Sequence, residues 1–259
     1  MHTSAGALRR HEQFHSTFLA DDRDVVVWLP PGYDETADRH PVLYLHDGQN
    51  LFDPDTAYQP GEHWRVGETA AALIEAGRIG PLVIVGIYNT GVARLQEYTP
   101  TSQAELGGGL ADNYGRMIVE DLKPFIDRTY RTRLDRSCTG IGGSSLGGLV
   151  SLHLALAHPE VFGKVAALSP SVWWDHRAIL WTVRQLRTKP AIRIWADMGT
   201  AEGARGLDDA RLLKAALVGA GWASGQDLNY AEYEGATHSE TAWAARVGPM
   251  LEWLFPVED

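Results

Sequence analysis

The residues that decide the fold are Cys138-Thr139-Gly140-Ile141-Gly142-Gly143-Ser144-Ser145-Leu146-Gly147-Gly148-Leu149-Val150. The apolar run ending at Ile141 predicts a strand and the segment from Leu146 predicts a helix, with only a tight turn between them. Read as G-x-S-x-G, the frame is Gly143, Ser145 and Gly147; Ser144 fails, because Leu146 stands two residues after it. A serine on such a turn adopts a strained backbone, and small neighbours keep strand and helix from colliding with it. The helix N-terminus beneath it offers free N–H groups and a partial positive charge, which suit an anionic intermediate. A phosphate loop fits less well: Gly140-x-Gly142-x-x-Ser145 lacks the third glycine of the dinucleotide fingerprint, and no P-loop lysine follows. Ser145 is the candidate nucleophile.

Outward from this turn, short β-branched runs alternate with segments of helical period, the pattern of a mainly parallel sheet with helical crossovers. Strands are predicted at 14–19, 25–29, 42–45, 82–88, 138–141, 165–168, 193–196 and 228–232. Helices are predicted at 66–76, 112–128, 146–158, 178–187, 208–219 and 241–255, with a kink or break at Pro124. The first two strands, separated by a few residues, form an antiparallel edge. The stretch Gly91 to Gly109 reads as a long surface loop. The expectation is a single α/β domain over residues 1–259, with about eight strands and helices on both faces.

A nucleophile on such a turn takes its partners from further along the chain, in the order acid, then histidine. His238, in Gly235-Ala236-Thr237-His238-Ser239-Glu240, follows the last strand and precedes the last helix. A histidine in that loop can serve first as general base and then as general acid. The acid is Glu202 or Asp197, both in the segment Asp197-Met198-Gly199-Thr200-Ala201-Glu202. Glu202 is favoured because a loop-tip carboxylate reaches over the sheet edge. Asp208 and Asp209 read as the cap and first turn of the next helix. An oxyanion hole needs two convergent N–H donors, expected from Leu146 and from Gln49 in His46-Asp47-Gly48-Gln49-Asn50, where Gly48 permits close backbone approach. The side chains of Asp47, Asn50 and Asp53 read as turn chemistry.

Four stretches together carry a family resemblance: Tyr44-Leu45-His46-Asp47-Gly48-Gln49-Asn50-Leu51-Phe52-Asp53, the turn around Ser145, Leu168-Ser169-Pro170-Ser171-Val172-Trp173-Trp174, and Gly199-Thr200-Ala201-Glu202-Gly203. The chain resembles the putative-esterase family of α/β-hydrolases, which includes enterobactin, salmochelin, feruloyl and acetyl-xylan esterases. The resemblance implies an α/β-hydrolase fold and a serine esterase with its triad on Ser145, Glu202 and His238. It also implies a small-molecule ester substrate, of carbohydrate, hydroxycinnamoyl or siderophore type, and no cofactor. Pocket residues are expected on loops at the same sheet edge, at Trp64, Arg94, Glu97, Tyr98, Trp173 and Trp174, with Trp64, Arg94, Trp173 and Trp174 as the substrate-binding set.

Composition narrows the alternatives. Lys and Arg number 23 against 33 Asp and Glu, a net charge of −10 that repels nucleic acid and anionic membrane. One cysteine, Cys138, excludes an internal disulfide, and no apolar leader is visible, so a cytoplasmic protein is expected. His11-Glu12-Gln13-Phe14-His15 fits the zinc-peptidase motif H-E-x-x-H, but the alternation around it is strand-like. On a strand the two histidines stand about 13 Å apart, too far for one metal, so no metal site is expected. A non-catalytic binding protein on the same fold is the other alternative.

Overall fold

Val25–Leu29, Val42–Leu45 and Val83–Ile87 are apolar without alternation, as strands are when both faces are covered. The computed structural model describes residues 6–257. Residues 1–5, on which the expectation of no leader partly rests, and the last two lie outside the described residues.

The strands are β1 (Ala7–Phe14), β2 (Arg23–Leu29), β3 (Val42–His46), β4 (Val83–Ile87), β5 (Thr139–Ser144), β6 (Lys164–Leu168), β7 (Arg193–Gly199) and β8 (Leu228–Tyr233). They form one sheet in the order β1-β2-β4-β3-β5-β6-β7-β8. β2 runs antiparallel to both β1 and β4, and every other pairing is parallel. This is the α/β-hydrolase arrangement with an antiparallel N-terminal edge.

The principal helices are α1 (Val66–Glu75), a composite α2 over 111–129, α3 (Leu146–Ala157), α4 (Trp174–Arg184), α5 (Ala204–Gly219) and α6 (Glu240–Leu254). Alternate strand residues feed two cores. Val42, Tyr44, Val83, Val85, Ile141 and Ile194 pack with α2, α3, α4 and α5. Leu43, Leu45, Ile84, Ala166, Leu168 and Trp195 pack with α1 and α6 on the other face. In α2 a π-helical stretch, Met117–Leu122, immediately precedes the segment carrying Pro124. A proline has no N–H for the α-ladder and its ring crowds the preceding turn, which accounts for the widened turns at the expected kink.

Several local expectations are corrected. The first strand is Ala7–Phe14, not 14–19: it is an edge strand paired with β2, and its polar residues Arg9, Arg10 and Glu12 are exposed. His11 lies on it and bonds Tyr130 Oη at 2.7 Å, whereas His15 lies beyond it and bonds Asp22 at 2.8 Å. The two histidines therefore serve different contacts. α4 begins at Trp174, through three consecutive left-handed residues, Asp175, His176 and Arg177. α5 begins at Ala204 after Gly203 (φ 92°), so Asp208 and Asp209 lie inside it, and Asp209 is buried on Arg177 at 2.5 Å. The stretch from Gly91 to Gly109 is not a loose loop. It contains a short helix, Arg94–Glu97, and a two-stranded hairpin, and Glu97 is buried against Arg23 at 2.8 Å. Among the described residues no helix is long and apolar enough to cross a membrane.

Candidate active site

Ser145 sits between β5 and α3 with φ 57° and ψ −123°, a backbone conformation that L-residues adopt only when their surroundings enforce it. The enforcement is visible. Ser145 N–H donates to Leu168 O at 3.0 Å, and its carbonyl accepts Leu149 N–H at 3.1 Å and Ser171 N–H at 3.0 Å. A Cβ at Gly143 would stand 3.1–3.2 Å from the Gly147 backbone, which explains why both ends of the turn are glycine. Ser144 is buried as the last residue of β5, while Ser145 is partly open and its hydroxyl lies 3.3 Å from Ser171 Oγ.

The loops after β7 and β8 bring Glu202 and His238 together: Nδ1 of His238 lies 2.6 Å from Glu202 Oε2. The carboxylate is buried and the imidazole half-exposed. With Nδ1–H donated to the carboxylate, the tautomer leaves the Nε2 lone pair available. Glu202 Oε1 accepts the Ser169 hydroxyl at 2.6 Å, Gly199 N–H at 2.8 Å and Arg246 Nη2 at 3.3 Å. Burial alone would raise the Glu202 carboxyl; the bonds from His238, Ser169 and Gly199 outweigh it and hold the group below its ordinary range. Asp197 goes elsewhere. It is fully buried on Arg246 Nη1 at 2.7 Å and Trp195 Nε1 at 2.7 Å.

Ser169, Trp243 and Arg246 complete this cluster, and the sequence reading assigned none of them a role. The Ser169 hydroxyl receives Trp243 Nε1 at 3.0 Å and Arg246 Nη1 at 2.8 Å while donating to Glu202. Trp243 also meets the His238 ring edge-on at 4.8 Å. The only signal in the sequence was that α6 follows His238 directly, so that its first turns must lie beneath the histidine.

The loop after β3 lies against the start of α3: a Cβ at Gly147 would be 3.3 Å from His46 Cβ and 3.4 Å from Asp47 Oδ2. Leu146 is the first residue of α3, whose leading N–H groups have no intrahelical acceptor. Gln49 lies in a 3-10 turn, Gly48–Asn50, where Asn50 N–H closes the turn on Asp47 O at 2.9 Å and Asn89 N–H donates to Gln49 Oε1 at 3.3 Å. The Asp47 carboxylate accepts Arg94 Nε and Nη2, both at 2.7 Å, and Asn89 Nδ2 at 2.7 Å. Asp47 and Asn50 thus do more than turn chemistry. Arg94, expected among the substrate-binding residues, is engaged in holding this loop.

Gly48 is fixed by contact. A Cβ there would lie 2.6 Å from Gly86 C and 2.8 Å from Ile87 N, backbone atoms of a central strand that cannot yield. Gly48→Ala is expected to cost ~1–3 kcal/mol of stability, as forced overpacking does. Chemical denaturation measures it, and an unchanged midpoint would show that the loop can lift off β4 freely.

The four aromatic and basic pocket expectations divide. Trp173 is 41% exposed, while Trp174 is buried, bonds Thr101 O at 3.1 Å and meets Trp173 edge-on at 5.8 Å. Trp64 is also buried, donating its indole N–H to Glu240, so it is wall and not contact surface. Tyr98 is likewise buried, its hydroxyl receiving Asp47 N–H at 3.3 Å. Glu240 carries no signal in the sequence, because a carboxylate in the first turn of a helix needs no special reason.

The chain is similar to known proteins over most of its length. The family model described as "Putative esterase" matches residues 16–254. An uncharacterized protein of Bacillus subtilis, YbbA, is 27% identical over 263 residues, covering 96% of each chain. The ferri-bacillibactin esterase BesA of the same organism is 35% identical over 157 residues, which span 54% of this chain and 51% of that protein. Among solved structures, the ferric enterobactin esterase of Salmonella typhimurium superposes with a TM-score of 0.77 at 21% identity, over 97% of this chain and 59% of that one.

Proposed function

The chain belongs to the putative-esterase family, and from that premise we propose that it is a serine carboxylic-ester hydrolase working through an acyl-enzyme. The observation that carries the reading is the 2.6 Å bond between His238 Nδ1 and Glu202, on loops that follow strands of the same parallel sheet whose β5 ends next to Ser145, a serine held in an elbow conformation. Nε2 of His238 takes the Ser145 proton as Oγ attacks the ester carbonyl. The carbonyl oxygen becomes an oxyanion facing the N–H groups of Leu146 and Gln49. The intermediate collapses, the alcohol leaves with the proton held on Nε2, and the acyl group remains on Ser145. Water, deprotonated by the same nitrogen, then releases the acid. Glu202 fixes the tautomer and stabilises the imidazolium without taking the proton.

The substrate is a small-molecule ester with an apolar or aromatic group against Trp173, the exposed aromatic after β6. Similarity to the ferri-bacillibactin esterase favours a siderophore-type ester, and the shared half of the chain supports that choice. The continuous sheet from β1 to β8 supports reading the described residues as one catalytic unit. The test is turnover of p-nitrophenyl acetate together with a panel of longer acyl, feruloyl and siderophore esters. Turnover dependent on Ser145 is expected. No turnover of any member would overturn the reading and leave a binding protein on an esterase fold.

A further inference from the structure

We propose that Glu240 is a positioning residue that ties the His238 loop to the oxyanion loop and so sets the geometry between base and oxyanion donor. This rests on the roles given above to His238 and Gln49.

Glu240 opens α6, two residues after His238 and next to Ser239, whose hydroxyl caps the helix by accepting Ala242 N–H at 3.3 Å. With the cap supplied, an ordinary carboxylate at this position would face water. This one turns inward: Oε1 accepts Asn50 Nδ2 at 3.0 Å and Oε2 accepts the indole N–H of Trp64. Asn50 directly follows Gln49 and is held on every other side. Its Oδ1 accepts Tyr58 N–H at 2.9 Å, its N–H donates to Asp47 at 2.9 Å, and its carbonyl accepts Trp64 N–H at 2.8 Å. Glu240 therefore links the oxyanion loop to the start of the helix that directly follows the base. Trp64 packs at 6.0 Å on Trp243, which meets the His238 ring, so a second path of contact runs parallel to the first.

Both partners donate, so the arrangement suits a carboxylate, whose two oxygens accept only; a proton on it would compete with one N–H. Asp47, Arg94 and His238 face the group, and Glu62 is nearby, bonded by Thr241 at 3.1 Å. Burial pushes the Glu240 carboxyl up to about 7; the Trp64 bond opposes this, Asp47 adds to it, and Arg94 and His238 pull it back. The ionised, fully bonded form is accordingly gained as pH rises through about 7.

The test compares wild type, Glu240→Ala, Glu240→Gln, Asn50→Ala and the double variant Asn50→Ala/Glu240→Ala in ester turnover across pH. Glu240→Ala is expected to lower kcat by ~10–100-fold with little change in KM, the cost of a small misplacement of reacting groups. Glu240→Gln can accept only one of the two N–H groups, so it should fall between wild type and Glu240→Ala and lose the change in kcat near neutral pH that Glu240 contributes. The double variant should be no worse than the weaker single, because both changes cut the same tie. A kcat for Glu240→Ala within about twofold of wild type, or effects of the two sites that multiply, would overturn the proposal. If Glu240→Ala does not fold, Asn50→Ala and Glu240→Gln carry the same comparison. A wild type that hydrolyses no ester defeats the esterase reading and this one together, whereas an active wild type with insensitive variants defeats only this one.

Discussion

Ser145→Ala is expected to lower kcat/KM for p-nitrophenyl acetate by about 10⁵-fold or more, since removing a nucleophile that acts as one unit with its base leaves only binding and oxyanion stabilisation. The protein should remain folded. Among the described residues the Ser145 hydroxyl has one polar contact, 3.3 Å to Ser171, whereas the elbow is held by main-chain bonds to Leu168, Leu149 and Ser171 that alanine keeps. Alanine carries the same Cβ as serine, so the strain at φ 57° is unchanged. A melting temperature close to wild type with activity at background is the expected pair of results. Retained activity would move the nucleophile elsewhere.

His238→Ala should be comparably severe, on the order of 10⁵-fold in kcat, because without the base the serine hydroxyl must lose its proton to water. The structural cost is expected to be small, as the ring is half-exposed and its contacts are Glu202 and the edge of Trp243. Glu202, relieved of its partner, is still bonded by Ser169, Gly199 and Arg246. Steady-state kinetics beside a thermal melt separate the two effects. A loss of only a few-fold would mean that another group supplies the base.

Much of this was legible in sequence because it is written locally. The elbow is a spacing of glycines around Ser145, and β3, β4, β6 and β7 are apolar runs whose burial on two faces leaves little ambiguity. β1 was missed for the converse reason: an edge strand needs only one neighbour, so Arg9, Arg10 and Glu12 could remain polar and give no β signal. The start of α5 was missed because Gly203 precedes it where a side-chain cap would have marked it. Trp64 and Arg94 read as pocket residues in sequence because they lie in loops at the correct edge. Their partners, Glu240 and Asp47, lie 176 and 47 positions away in the chain, and no local pattern records such a pairing. The choice between Asp197 and Glu202 was likewise one of direction. It turns on Arg246, a buried cation from the last helix that occupies Asp197 and leaves the loop-tip carboxylate to His238.

In the proposed mechanism Ser145 is activated for covalent catalysis by the His238–Glu202 pair. Treatment with a fluorophosphonate followed by peptide mass mapping tests it most directly. One stoichiometric adduct is expected, on Ser145, formed in step with loss of ester turnover, absent from Ser145→Ala and greatly slowed in His238→Ala. An unlabelled Ser145 in protein that still hydrolyses esters, or an adduct on a different residue that tracks the loss of turnover, would contradict it.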